Sequence, residues 1–309
     1  MSEKSENSGD SIGVILSQSI THVGHERIVL ARYERLHSSE FAHPAQGNDA
    51  FERKMTSTVE HLGGPPEYYM VRDGYKPPLP DQYPEAILRE VMSVFDRARK
   101  SVVRSHMFMT GAVTIVEHPD DLLVDNREQA VALGKLAAEA FWEHAEAAFI
   151  RLASYWDRVG QVLDFAFFNI RKFDQNGFNA VMDRVATNAV PMIDQFKSHP
   201  SWTRLRAFQN SEKEDGLKWL LSRRNLIIHS LHLHPLPNDD NSVFESQFNH
   251  LDTAHREKLR PRPMREEGQI LTTQLRRASE LFPDFLRVVE FSPNRKVERF
   301  IDDRHLHHD

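Results

Sequence analysis

Residues 217–233 read LKWLLSRRNLIIHSLHL and end two residues before Pro235. The segment is mostly apolar, yet it contains Arg224 and, five positions later, His229. Burying a cation in an apolar helix costs free energy unless another group pairs with it or uses it. We therefore expect this segment to be a central helix whose polar side chains carry the function of the chain.

A helical projection of this segment, at about 100° per residue, separates a narrow polar stripe from a wide apolar arc. The stripe comprises Lys218, Ser222, Asn225, His229 and His232. Arg224 projects from the apolar arc, about 140° from His229 on the same scale. The arginine can therefore act beside the histidine only by reaching around the helix, by pairing internally or by meeting a second copy of the chain.

The composition is that of a globular protein and excludes several classes of site. The 309 residues are 40% apolar and 27% charged, with a formal net charge of −6, which is unlike a basic nucleic-acid coat. The absence of cysteine excludes disulfides and cysteine-ligated metals. The polar N-terminus lacks the apolar core of a signal peptide, and no run of about 18 uncharged apolar residues appears. We expect a cytoplasmic protein with no membrane partner.

Helical periodicity dominates the chain from residue 83 onward, with the longest periodic segment at about residues 126–173. This pattern predicts an all-α fold, a helical bundle with a less regular N-terminal extension. We divide the chain into a disordered tail (1–11), an N-terminal extension with a proline-rich linker (12–82), the helical domain (83–291) and a C-terminal tail (292–309).

Three local predictions concern the ends of helices. A helix is expected to start near Pro84 and to give way to a loop over residues 114–125. Ser211 and Glu214 match a capping box, which would open the central helix. Pro283 is expected to kink or restart the last helix.

Arg224 and His229 have the side chains needed to cleave a phosphodiester. A guanidinium stays charged and its planar fork of donors matches a phosphate, whereas a histidine transfers protons near neutral pH. Asn225 lies one turn before His229 and faces the same way. We assign all three as catalytic, with Asn225 positioning the substrate. The competing interpretation is structural: a buried arginine paired with a carboxylate that holds helices together.

The sequence RNLIIH at residues 224–229 resembles the signature of the HEPN superfamily, Arg-polar-x-x-x-His inside an apolar helix. The resemblance covers about residues 126–289 and implies a HEPN-like helical bundle. Active HEPN proteins are metal-independent ribonucleases in which the motifs of two copies meet across a homodimer and leave a 2′,3′-cyclic phosphate. They are common in toxin–antitoxin and defence systems, so a protein antitoxin or regulator is a possible partner. Inactive members bind RNA, a nucleotide or a protein, and this alternative stays open.

Further residues are assigned by their position relative to the motif. Arg223, Lys218, Ser222 and His232 are predicted to bind the RNA substrate. Asp157 and Asp164, with Gln161 between them, share one face of the long helix and could orient Arg224 or His229. A solvated acidic face is the alternative.

Histidines elsewhere in the chain are given no role. The bare pattern of an arginine followed by a histidine also occurs at residues 32–37, 99–106 and 299–305, where we expect surface charge. His232 and His234 do not supply the three or four convergent ligands that a metal needs. We therefore predict neither a metal nor a cofactor.

Overall fold

The computed structural model describes residues 6–45, 49–63, 82–117, 127–171, 177–229, 249–253, 256 and 262–293. Every regular element in these ranges is helical, which confirms the predicted all-α fold. The helices are α1 (Glu6–Leu36), α2 (Asp49–Gly63), α3 (Tyr83–Glu117), α4 (Arg127–Phe168), α5 (Phe178–Asn188), a 3₁₀ turn (Val190–Met192), α6 (Asp194–Lys197), α7 (Pro200–Asn210), α8 (Leu217–His229) and α9 (Met264–Val289). None of these described helices is long and apolar enough to cross a membrane.

An antiparallel pair, α3 and α4, carries the core. Tyr83 at the start of α3 packs on Phe165 near the end of α4, whereas Phe108 late in α3 stacks on His144 in the first half of α4. Both helices bury apolar side chains at three- and four-residue spacing. α9 packs on both of them, α5 and α8 pack on α4, and α7 packs on α9.

The N-terminal extension is more regular than the sequence led us to expect. α1 begins at Glu6, inside the stretch predicted to be disordered, and α2 follows it. Two ion pairs connect α1 to α3. Glu26 pairs with Arg104 at 2.6 Å, and Glu34 pairs with Arg99 at 3.1 Å. Residues 64–81, which hold most of the predicted linker, and the tail from residue 294 lie outside the described residues.

The predictions about helix ends have mixed outcomes. Pro84 lies in the first turn of α3, as expected. The helix then continues to Glu117, so residues 114–117 are not a loop; residues 118–126 lie outside the described ranges. Pro283 lies inside α9, which continues past it to Val289. The helix is therefore not restarted at Pro283, whose side chain is exposed.

A glycine allows α4 and α5 to approach each other closely. A Cβ added to Gly160 would lie 2.9 Å from the Cα of Phe178, the first residue of α5. The obstructing atom belongs to the backbone, so no side-chain rotation would relieve the overlap. Gly111 in α3 offers a contrast, because a Cβ added there would meet nothing within 4 Å.

We predict opposite effects of alanine at these two helical glycines. Gly160→Ala should destabilise the fold by about 1–3 kcal/mol, because α5 would have to shift away from α4. Gly111→Ala should stabilise it by about 0.5–1 kcal/mol, because alanine loses less backbone entropy on folding. Urea unfolding followed by circular dichroism measures both. Equal stability of the two variants would contradict the close approach.

Candidate functional site

α8, the helix that carries the motif, lies at the surface and has one buried edge. Leu217, Leu220 and Arg223 recur every three residues and are the buried residues of this helix. His229, its last residue, is exposed, and Ile228 is 47% exposed. The prediction of a mostly buried central helix is therefore wrong. Residues 230–233 lie outside the described residues.

The turn before α8 fixes where the helix begins. A Cβ on Gly216 would overlap the carbonyl oxygen of Ser211, so only glycine fits there without a backbone shift. The Lys218 N–H donates to that oxygen at 3.2 Å, and Gln274 of α9 donates to the Gly216 carbonyl at 3.1 Å. The predicted capping box is not formed. Ser211 is the C-cap of α7, and its hydroxyl accepts from the Lys213 N–H at 3.3 Å, whereas α8 begins only at Leu217.

The buried cation of α8 is Arg223. Its Nη2 donates to Oε1 of Glu267 on α9 at 2.6 Å, and both side chains are buried. The guanidinium also lies over the ring of Phe149, 5.9 Å from its centroid. Burial raises the pKa of the Glu267 carboxyl, and Arg223 opposes that shift. The position of Glu267 in the first turn of α9 further favours its charge.

This ion pair corrects one predicted role. Arg223 was expected to bind substrate, but its guanidinium faces the interior and is occupied by Glu267. A buried arginine paired with a carboxylate was one interpretation of position 224. Arg223 is the residue that has this role. A helix cannot point two successive residues in the same direction, so burying Arg223 turns Arg224 toward another side.

Arg224 is half-buried, contacts Asn225 and acts through its charge on Asp157. Its Nη1 donates to Oδ1 of Asn225 at 2.8 Å. On α4, burial raises the pKa of Asp157, while a hydrogen bond from the Phe178 N–H and the charge of Arg224 act in the opposite direction. Asp157 therefore lies close enough to Arg224 to interact with its charge. His229 is exposed one turn beyond Asn225.

Asp164, the other acidic residue assigned a supporting role, pairs with an arginine other than Arg224. Asp164 is buried and accepts a 2.9 Å hydrogen bond from Nη1 of Arg184 on α5. Its Oδ1 is therefore engaged by Arg184, and its role in orienting Arg224 stays a prediction. Gln161, between the two acids, accepts from Arg158 of the same helix at 3.1 Å. Of the predicted acidic face, Asp157 is the member whose pKa the charge of Arg224 lowers.

The remaining predicted RNA-binding residues differ in their surroundings. Lys218 is exposed and pairs with Glu212 at 3.1 Å, a surface ion pair that a phosphate can displace. Ser222 is exposed one turn further along α8. His232 lies outside the described residues, so its prediction stands as made.

A second group of titratable side chains lies between the end of α1 and α3. The Glu40 carboxylate is 2.9 Å from Nε2 of His106 and 3.4 Å from Nδ1 of His37. Tyr33 Oη lies 2.7 Å from Nδ1 of His106. Burial lowers the pKa of His106 although Glu40 opposes it, which favours the neutral ring at neutral pH.

This cluster was missed in the sequence, where His37 and His106 were interpreted as surface charge. That interpretation is wrong because the fold brings two distant segments together and half-buries both rings. The local signal was His37-x-x-Glu40, a spacing that suits a shared ligand. His106 carries no comparable signal, and only the packing of α1 on α3 places it beside Glu40.

We predict that Arg223→Met destabilises the protein by about 3–5 kcal/mol, because it leaves the Glu267 carboxylate buried without its cation. Arg223→Met combined with Glu267→Leu removes both charges and should recover much of that loss. Urea unfolding of wild type and of all variants in the double-mutant cycle measures the coupling. A double variant that is no more stable than the single one would contradict the assignment.

Asp157 should make the stability of the fold depend on pH, and the direction of its pKa shift determines the sign of that dependence. Because its pKa is raised in the folded state, the folded protein holds that proton more tightly than the unfolded chain. The resulting stabilisation is complete below the unfolded pKa and is lost as the pH rises through the folded pKa. Asp157→Asn keeps an acceptor for the Phe178 N–H but does not titrate.

Relative to wild type, Asp157→Asn should therefore gain stability between about pH 4 and pH 7, as measured by urea unfolding across that range. Subtracting the unfolding free energy of wild type from that of the variant cancels the titration of every group that the substitution leaves unchanged. If this difference in unfolding free energy is constant, or falls as the pH rises, the raised pKa of Asp157 is contradicted.

Comparisons with known proteins do not identify the site. No family model matches the sequence, and neither a curated protein nor a solved structure matches it significantly. Its function must therefore be inferred from the side chains themselves: Arg224, whose charge acts on Asp157, and the exposed Asn225 and His229 on the same helix.

Proposed function

We propose that the chain is a HEPN-like, metal-independent endoribonuclease that cleaves RNA by attack of the 2′-hydroxyl. The observation that supports this best is the second half of α8, where exposed Asn225 and His229 accompany a half-buried Arg224. An RNA strand can reach these side chains from solvent. They provide a fork of donors for a phosphate and a group that transfers protons.

In the proposed reaction, Arg224 neutralises the phosphate and His229 takes the proton of the 2′-hydroxyl. The 2′-oxygen then bonds to phosphorus, the bond from phosphorus to the 5′-oxygen breaks, and that oxygen takes up a proton. The products are a 2′,3′-cyclic phosphate end and a 5′-hydroxyl end. The substrate supplies both the attacking and the leaving oxygen, so the protein has to contribute only proton transfer and stabilisation of charge, which side chains can provide.

We further propose that the active form is a homodimer. Arg224 and His229 project about 140° apart around α8, and Arg224 donates to Asn225 of its own chain. A second copy can bring the arginine of one chain to the histidine of the other. Ile228, which is 47% exposed between them, offers an apolar contact for that copy.

The remaining parts of the proposal follow from the resemblance. We also propose a cytoplasmic location and a toxin or defence role, with a protein antitoxin or regulator as partner. Exposed Lys218 and Ser222 extend the phosphate-binding surface along α8 from the catalytic residues.

His229→Ala should reduce RNA cleavage by about 10²–10⁴-fold, the usual contribution of general acid–base catalysis. Arg224→Lys should also reduce it, because lysine keeps the charge but loses the planar fork. The assay uses end-labelled RNA in EDTA, with a substrate lacking 2′-hydroxyls as the chemical control. His22→Ala removes an exposed histidine on α1 and is the matched control variant.

The same assay tests the homodimer. A mixture of Arg224→Ala and His229→Ala proteins should regain cleavage that neither has alone, because mixed dimers hold one intact arginine and one intact histidine. No cleavage by wild type in EDTA, with RNA bound in a gel-shift assay, would instead identify the inactive RNA-binding alternative. Cleavage by His229→Ala at the wild-type rate would overturn the catalytic assignment.

A further inference from the structure

We propose that His37, Glu40 and His106 bind a divalent transition-metal ion of the Zn²⁺ type. One ligand atom from each residue can be chosen so that all three lie within 4.8 Å of one another. The cluster joins the turn after α1 to the second half of α3, and none of its three residues belongs to the motif helix α8. The inference is independent of the proposed ribonuclease activity, which needs no metal.

The ligand types and their spacing fit such an ion. Imidazole nitrogens and one carboxylate form a known three-ligand set for zinc that leaves a fourth position open. Two ligands at about 2.0–2.1 Å from a tetrahedral ion lie roughly 3.4 Å apart. The Oε2 atom of Glu40 is 2.9 Å from Nε2 of His106 and its Oε1 atom is 3.4 Å from Nδ1 of His37, distances close to that separation.

A hydrogen-bond chain behind His106 supports the ligand role of its Nε2. Tyr33 Oη lies 2.7 Å from Nδ1 of His106 and 3.0 Å from Oγ1 of Thr110. The Thr110 hydroxyl in turn donates to the His106 carbonyl at 2.9 Å. With a metal on Nε2, Nδ1–H can donate to Tyr33, Tyr33 to Thr110, and Thr110 to the carbonyl. Every donor then has an acceptor, the outer-shell arrangement that orients ligating histidines.

The histidine from the other segment is held in place as well. The ring of His37 stacks on that of Tyr33 with the centroids 4.4 Å apart. His37 and Glu40 lie three residues apart in one turn, so fixing one restrains the other. Ion pairs between α1 and α3 hold this turn against His106. The three ligands are therefore brought together before any ion binds.

One side of the cluster opens on a cavity. Glu40 and His106 line a space of about 530 Å³ whose far wall is formed by α9. Arg276 and Thr273 of α9 also line it, and their side chains can donate hydrogen bonds to an anion. The open position of the ion can therefore hold water or a small anionic ligand within reach of α9.

The test is metal binding by the full-length protein after chelator treatment. Visible absorption during a Co²⁺ titration reports ligand geometry, and isothermal titration with Zn²⁺ gives the affinity. We expect one ion per chain at this site. His37→Ala and Glu40→Gln should each weaken binding at least tenfold, and Tyr33→Phe, which removes the outer-shell partner, by about 10–100-fold.

His22→Ala, an exposed histidine on the same helix as Tyr33, is the control and should bind as wild type does. Circular dichroism confirms that each variant is folded, and Glu40→Gln keeps the shape of the side chain if His37→Ala does not fold. The proposal is overturned if wild type binds neither ion. It is equally overturned if His37→Ala and Glu40→Gln bind as wild type does, which would place the ion on other histidines.

Discussion

The buried ion pair between Arg223 and Glu267 sets the orientation of α8, and the candidate site depends on that orientation. A helix is nearly rigid about its axis, so fixing one side chain fixes the direction of all the others. With Arg223 turned inward, Asn225 and His229 face solvent and Arg224 lies along the edge near Asp157. Burial disfavours both charges, so the pair specifies an arrangement more than it adds stability.

α9 connects the features described above. Its first turn supplies Glu267, Gln274 anchors the turn before α8, and Arg276 lines the cavity beside His106. A single helix thus supports both the catalytic surface proposed on α8 and the metal site proposed at α3. Because α9 also packs on α3, α4 and α7, a shift of this helix would disturb both places together.

Apolar periodicity was sufficient to predict the all-α fold, including the long α4, because a helix buries residues at a fixed spacing. It was not sufficient to distinguish Arg223 from Arg224, since adjacent arginines in an apolar segment have similar local surroundings. The residue that determines which arginine is buried is Glu267, and it lies in another helix, in a distant part of the sequence. The pairing of His37 with His106 was equally inaccessible, because it depends on how α1 packs against α3.

The burial of the Arg223–Glu267 pair has a consequence for measurements at different ionic strengths. Mobile ions screen exposed pairs such as Lys218–Glu212, but they cannot enter between two groups that solvent does not reach. In the proposed RNA complex, added salt should therefore weaken the phosphate contacts on the exposed side of α8 without rotating the helix. The salt dependence of RNA affinity would then report how many phosphates the protein contacts, because the surface that binds them would not rearrange.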